Sequence, residues 1–194
     1  LGEGFRYVYA EKAIFALTLL ALIPMIFGMP YMTLMPIFAD RVLGIGAWGL
    51  GVLYSASGVG GLLSVLAIAA LGRVPHKGLL TLLGIFGFGA FLMLFSHSTW
   101  LPLSLAIMAL LGFASTAPRV LINTSLLEIA PPEMHGRVMS FYTLDRGLVP
   151  LGTIAVGLLA DVVGAPLTVL TMGSVCVLLA LSVGIGFPLV RRLP

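Results

Sequence analysis

Six runs of predominantly apolar residues constrain this 194-residue chain more than any other feature of it. A helix needs about 20 such residues to cross a bilayer. The runs are Ala13–Phe38, Gly46–Leu71, Leu79–Ser96, Trp100–Leu127, Val138–Ala160 and Leu167–Val190. Short separators with turn chemistry lie between them: Asp40-Arg41, Gly72-Arg73-Val74-Pro75-His76-Lys77, His97-Ser98, Pro131-Pro132-Glu133 and Gly164-Ala165-Pro166. Composition excludes a water-soluble alternative. Apolar residues make up 60% of the chain and charged residues 9%, against about 25% charged in a soluble domain. The expected fold class is an all-α membrane protein with six transmembrane helices.

The net charge of +3 is not a nucleic-acid signal, because the basic residues fall at the ends of apolar runs and form no cluster interleaved with aromatics. One side of the expected membrane holds Arg6, Lys12, Arg73, Lys77, Arg137, Arg191 and Arg192, while the other holds only Arg41. This bias puts both termini in the cytoplasm, with Trp100 as an interfacial anchor at the outer start of the fourth run. The lone Cys176 lies inside an apolar run and forms no intrachain disulfide. The chain starts Leu1-Gly2-Glu3 without a signal-peptide pattern, which reads as a cut or as an unusual start codon.

Arg119, Asp145 and Arg146 lie within apolar runs, where an ionisable group costs about 2.5 kcal/mol or several times that and usually faces a bundle interior or a wet cavity. Arg119 stands 13 residues before Pro132 and Asp145 stands 13 after it. With the fourth and fifth runs folded as a hairpin about Pro132, both sit at similar depth, roughly a dozen ångström inside their helices. An Arg119–Asp145 ion pair is expected, with Arg146 about 100° further round the fifth helix. Ser115, Thr116 and Asn123 share the helical stripe of Arg119, and Tyr142 precedes Asp145 by three residues. Two readings stand: a clamp joining the fourth and fifth helices, or a polar cavity site for substrate or proton coupling made by Arg119, Asn123, Asp145 and Arg146. The third and sixth runs carry no charge and are expected to be peripheral and lipid-facing.

The second run spaces Ala56, Gly60 and Ser64 four residues apart, a small-residue stripe suited to close helix packing. Pro24, Pro30 and Pro36 fall in the first run, Pro118 in the fourth and Pro150 in the fifth, where proline kinks a helix and frees carbonyls. Enzyme chemistry is not encoded. His76, His97 and His135 all fall in separators, and no HExxH, CxxC or Walker loop occurs. Ala56-Ser57-Gly58 matches part of an intramembrane serine protease motif, but Ser55 stands where that motif needs Gly and no histidine lies in a run. Neither a metal nor a cofactor is implied.

Several segments resemble the carboxy-terminal half of the major facilitator superfamily. Glu3-Gly4-Phe5-Arg6-Tyr7-Val8 resembles the end of its central linker, and Pro36-Ile37-Phe38-Ala39-Asp40-Arg41-Val42-Leu43-Gly44 the outer end of its seventh helix. The run Gly49-Leu50-Gly51-Val52-Leu53-Tyr54-Ser55-Ala56-Ser57-Gly58-Val59-Gly60 resembles the eighth helix. Gly136-Arg137-Val138-Met139-Ser140-Phe141-Tyr142 and Arg146-Gly147-Leu148-Val149-Pro150-Leu151-Gly152 resemble the eleventh helix of the enterobactin-exporter-like, drug-efflux branch, which often carries a pair like Asn123-Thr124. The segment Leu71–Gly78 keeps basic residues but lacks the acidic part of the superfamily's gating motif, and Asp145 matches no family-wide functional position.

The resemblance implies residues 1–12 as linker, 13–190 as one bundle of a twelve-helix transporter built from two inverted three-helix repeats, and 191–194 as a cytoplasmic tail. It also implies a proton-driven exporter of small amphipathic molecules, drugs or siderophores, in a bacterial inner membrane. The expected partners are the lipid bilayer, a small-molecule substrate, and either an amino-terminal six-helix bundle or a second copy. The alternatives are a truncated, non-transporting membrane protein and a half-transporter working as a homodimer.

Overall fold

The computed structural model describes residues 12–186 except 73, 75, 144–146 and 148. Its described secondary structure is helical throughout, with no strand. Residues 1–11 of the expected linker, the tail 191–194, and Asp145 and Arg146 lie outside the described residues. Among the described residues, five helical segments are long and apolar enough to span a membrane. They are α1 (Phe15–Val42), α2 (Gly46–Leu71), α3 (Lys77–Ser96), α4 (Leu101–Ile129) and α7 (Ala165–Gly186). Between α4 and α7 lie two shorter helices, α5 (His135–Thr143) and α6 (Val149–Val163).

Within the expected span Val138–Ala160 the described residues form α5 and α6, and residues 144–146 and 148 between them lie outside the described residues. Two separators also contract into helix. Asp40-Arg41 belong to the last turn of α1, which runs to Val42, and Ala165-Pro166 open α7. His135, expected in a loop, begins α5, and one of its ring nitrogens lies 2.8 Å from the Ala130 carbonyl.

The winding of α1 follows from its three prolines. An α-helical start, Lys12–Ile23, gives way to π-helix over Pro24–Gly28 and to 3-10 helix over Met29–Leu34. Met35–Ile37 is α again, and Phe38–Val42 returns to π. Each proline removes the N–H that the carbonyl four residues earlier would accept. The Met32 carbonyl, deprived by Pro36, instead accepts the Met35 N–H and, at 3.1 Å, the Tyr54 hydroxyl of α2.

Glycine sets the helix crossings. A Cβ on Gly60 of α2 would lie 1.8 Å from the Ala109 carbonyl oxygen of α4, and one on Gly112 of α4 would lie 1.9 Å from that of Ser57. The two backbones touch. Gly89 of α3 and Gly173 of α7 are each within 2.8 Å of the other's carbonyl by the same test, and Gly152 of α6 meets the Ile26 carbonyl of α1 at 2.5 Å. Lipid tails are as apolar as leucine, so van der Waals contact of this kind holds membrane helices together. The small-residue stripe of α2 packs as expected, with Gly60 and Ser64 buried.

Larger side chains fill two layers between these crossings. One contains Leu17, Leu20, Leu82, Ile85, Ile122, Leu126 and Cys176. The other contains Tyr31, Phe38, Leu53, Phe88, Phe95, Met108 and Met172. Tyr31 meets Phe88 edge-on with ring centroids 6.1 Å apart, and Phe38 lies 5.0 Å from Phe95. The third run is less peripheral than its composition suggests: α3 packs on both α4 and α7. In its most apolar stretch 44% of residues are buried, against 17% for α2.

Gly112→Val should lower the thermal unfolding midpoint in detergent, because overpacking of this kind costs about 1–3 kcal/mol. Gly58→Ala, whose added Cβ meets nothing within 4 Å, should leave the midpoint unchanged or raise it. Reaction of the buried Cys176 with a thiol-specific dye reports unfolding in both variants.

Candidate functional site

Arg119 follows Pro118 in the middle of α4. Pro118 has no N–H for the Ala114 carbonyl, and the turn is accommodated because Gly84 of α3 carries no side chain. A Cβ there would lie 2.5 Å from the Pro118 ring. Ser115 turns back to donate to the Gly112 carbonyl at 3.0 Å. The Thr116 hydroxyl faces Gly61 of α2, 3.0 Å from where a Cβ would stand. Past this crossing, α4 presents Arg119 and Asn123 on the outside of the bundle, both exposed and one turn apart.

The Arg119 guanidinium reaches across to α1, where Nη2 lies 3.9 Å from the Met29 sulfur. Of the four residues expected to share a polar site, Arg119 and Asn123 thus sit together on one face. Asp145 and Arg146 lie outside the described residues, so the expected Arg119–Asp145 pair falls there too. Among the described residues Arg119 has no carboxylate within ion-pair distance.

Two polar links were not anticipated. Lys77, at the start of α3, pairs with Glu128, in the last turn of α4. Opposite charges at the two ends of adjacent runs were the available signal. The second is the Tyr54–Met32 bond between α2 and α1. Its signal was Pro36, four residues after Met32. Tyr31 and Ser57 lie beside this link. Among the described residues no three His, Cys, Asp or Glu side chains gather as a metal site.

Large apolar side chains dominate the exposed faces of α2 and α6, with Ser55 on α2 and Asp161 near the end of α6 also exposed. Leu62, Leu63 and Leu66 project from α2, and Leu151, Ile154, Leu158 and Val162 from α6, Val162 with 83% of its surface open. Contact with a bilayer accommodates such faces, and the five spanning helices make the chain a multi-pass membrane protein.

The profile of the Major Facilitator Superfamily matches residues 1–150, and the chain belongs to that superfamily. It is 28% identical over 194 aligned residues to the multidrug efflux pump Tap of Mycolicibacterium fortuitum, an alignment covering 98% of this chain and 46% of the pump. It is 25% identical over 164 residues to the staphyloferrin A transporter of Staphylococcus aureus, covering 81% of this chain and 40% of that transporter. The chain spans less than half the length of these curated relatives.

Thiol labelling tests the open face of α4. In a Cys176→Ala background, Asn123→Cys should react readily with a water-soluble maleimide. Ile122→Cys, on the buried side of the same turn, should react at least tenfold more slowly.

Proposed function

We propose that this member of the major facilitator superfamily is the carboxy-terminal bundle of a secondary active exporter of small amphipathic molecules, coupled to protons and working by alternating access. One observation carries the reading: Arg119 and Asn123 stand exposed one turn apart within the long apolar helix α4, where a charge is costly unless it faces a protein-lined or wet cavity. The names of the two relatives, a multidrug efflux pump and a siderophore transporter, support an amphipathic solute.

In this reading residues 13–190 form six spanning helices, with α5 and α6 as two parts of the fifth, residues 1–12 are linker and 191–194 a cytoplasmic tail. Two inverted three-helix repeats are supported by paired glycine contacts. Gly89 and Gly173 meet reciprocally between α3 and α7, the last helices of each repeat. The α2–α4 crossing at Gly60 and Gly112 has its counterpart in the α6–α1 crossing at Gly152. The positive bias supports cytoplasmic termini in a bacterial inner membrane. A second six-helix bundle, amino-terminal or a second copy, covers the apolar faces of α2 and α6.

Asp145 carries the proton, Arg119 stabilises its charged form, and Asn123 and Arg146 complete the polar lining. Export of an amphipathic dye from cells producing the protein should collapse when the proton gradient is dissipated. Asp145→Asn should slow export at least tenfold and flatten its pH dependence. A variant that exports at the wild-type rate with an unchanged pH profile sinks the proton-carrier role.

A further inference from the structure

We propose that a cleft between the end of α1 and the start of α2 binds the headgroup of a phospholipid carrying both a phosphate and a primary ammonium, as phosphatidylethanolamine does. The cleft has a volume of about 420 Å³ and is lined by Ile37, Asp40 and Arg41 of α1 and by Gly46, Ala47 and Leu50 of α2. Small-molecule sites occupy about 300–1,000 Å³, so its size suits a headgroup. The site needs only a membrane boundary and stands whether or not the chain exports.

The turn joining the two helices keeps this space clear. Leu43 donates its N–H to the Phe38 carbonyl at 2.9 Å, and Ile45 donates to that of Ala39 at 2.8 Å. Gly44 and Gly46 hold φ of +64° and +60°, and a Cβ on either would meet nothing within 4 Å. Glycine serves the backbone conformation there rather than a close contact. Gly46 and Ala47 then line the cleft with almost no side chain.

Depth points to a lipid. Asp40 and Arg41 lie in the last turn of α1, and α2 opens at Gly46, so the cleft sits at a membrane boundary. Trp48, next to the lining Ala47, has 74% of its surface open, and tryptophan at the end of a span sits at headgroup level. Ile37 and Leu50 lie about one turn further into the two spans. The cleft is thus charged at the headgroup and apolar toward the acyl chains.

The two charges select the headgroup. Asp40 and Arg41 are both exposed, and among the described residues neither forms an ion pair. A guanidinium holds a phosphate bidentately, and a carboxylate accepts the N–H donors of a primary ammonium. Consecutive Cα atoms are about 3.8 Å apart, and a two-carbon link joins the phosphate to the ammonium, so one headgroup meets both side chains. A choline has no N–H to donate to Asp40. A phosphoglycerol brings Asp40 no positive charge.

The test uses the chain in dodecyl maltoside with dioleoyl lipids that differ only in headgroup: phosphatidylethanolamine, phosphatidylcholine and phosphatidylglycerol. In a Cys176→Ala background, Ala47→Cys should react with a water-soluble maleimide about threefold more slowly with phosphatidylethanolamine than with either other lipid. His97→Cys, exposed and outside the cleft, should react at one rate in all three. Adding Asp40→Asn should erase the difference between phosphatidylethanolamine and phosphatidylglycerol, and adding Arg41→Gln should remove protection by every lipid. If Ala47→Cys does not fold, phosphatidylethanolamine must still raise the unfolding midpoint of the unmodified chain, followed by dye labelling of Cys176, by about 3 °C over phosphatidylcholine. Asp40→Asn must then abolish that difference. Equal effects of the three lipids, or a phosphatidylethanolamine advantage that survives Asp40→Asn, overturn the assignment. Stronger protection by phosphatidylglycerol overturns it in favour of an anionic-lipid site. Equal protection by free O-phosphoethanolamine overturns it in favour of a soluble zwitterion.

Discussion

Contact of one helix backbone directly on another is what the bundle depends on. In lipid the burial of apolar side chains yields no net gain between helices, so close approach of main-chain atoms must supply the attraction. Gly60 and Gly112 bring α2 onto α4, Gly89 and Gly173 bring α3 onto α7, and Gly152 brings α6 onto α1. At each crossing a single added carbon would strike a carbonyl group. The large residues, Phe38, Phe88, Phe95 and Tyr31, then pack in the spaces that the crossings leave. Their positions follow from the crossings; Phe88, for instance, occupies the volume above Gly28 that any side chain would fill.

The polar chemistry is arranged around the same frame. Proline at positions 30 and 36 strips two carbonyls of their usual donors, at Ile26 and Met32. The first lies against Gly152, and the second takes the Tyr54 hydroxyl. On α4, Pro118 loosens the helix one residue before Arg119, and the missing side chain of Gly84 makes room for it. Each irregularity is matched by a glycine or a hydroxyl on a neighbouring helix. The irregular backbone thus stays inside protein, as hydrocarbon requires.

Much of this was legible in the amino-acid sequence. The apolar runs located the five long apolar helices found among the described residues, since length and hydropathy alone determine them. Arg119 and Asn123 stood out because an ionisable residue in such a run is rare, and the four-residue spacing placed both on one face. Nothing distinguished Gly89, the glycine that touches α7, from Gly84 and Gly87 in the same run. That choice depends on helix rotation, which an evenly apolar run does not encode. Met29 was hidden for a similar reason: its place beside Arg119 follows from the non-α winding of α1, which shifts the register of every residue beyond Pro24.

The winding of α1 also stores length. A 3-10 turn rises about 2.0 Å per residue and an α turn about 1.5 Å. Rewinding Met29–Leu34 from one to the other would shorten the helix axis by about 3 Å without moving a residue out of the span. The π segments on either side, Pro24–Gly28 and Phe38–Val42, allow compensating change. α1 is thus a strut of adjustable reach in a frame whose other crossings are set by touching backbones.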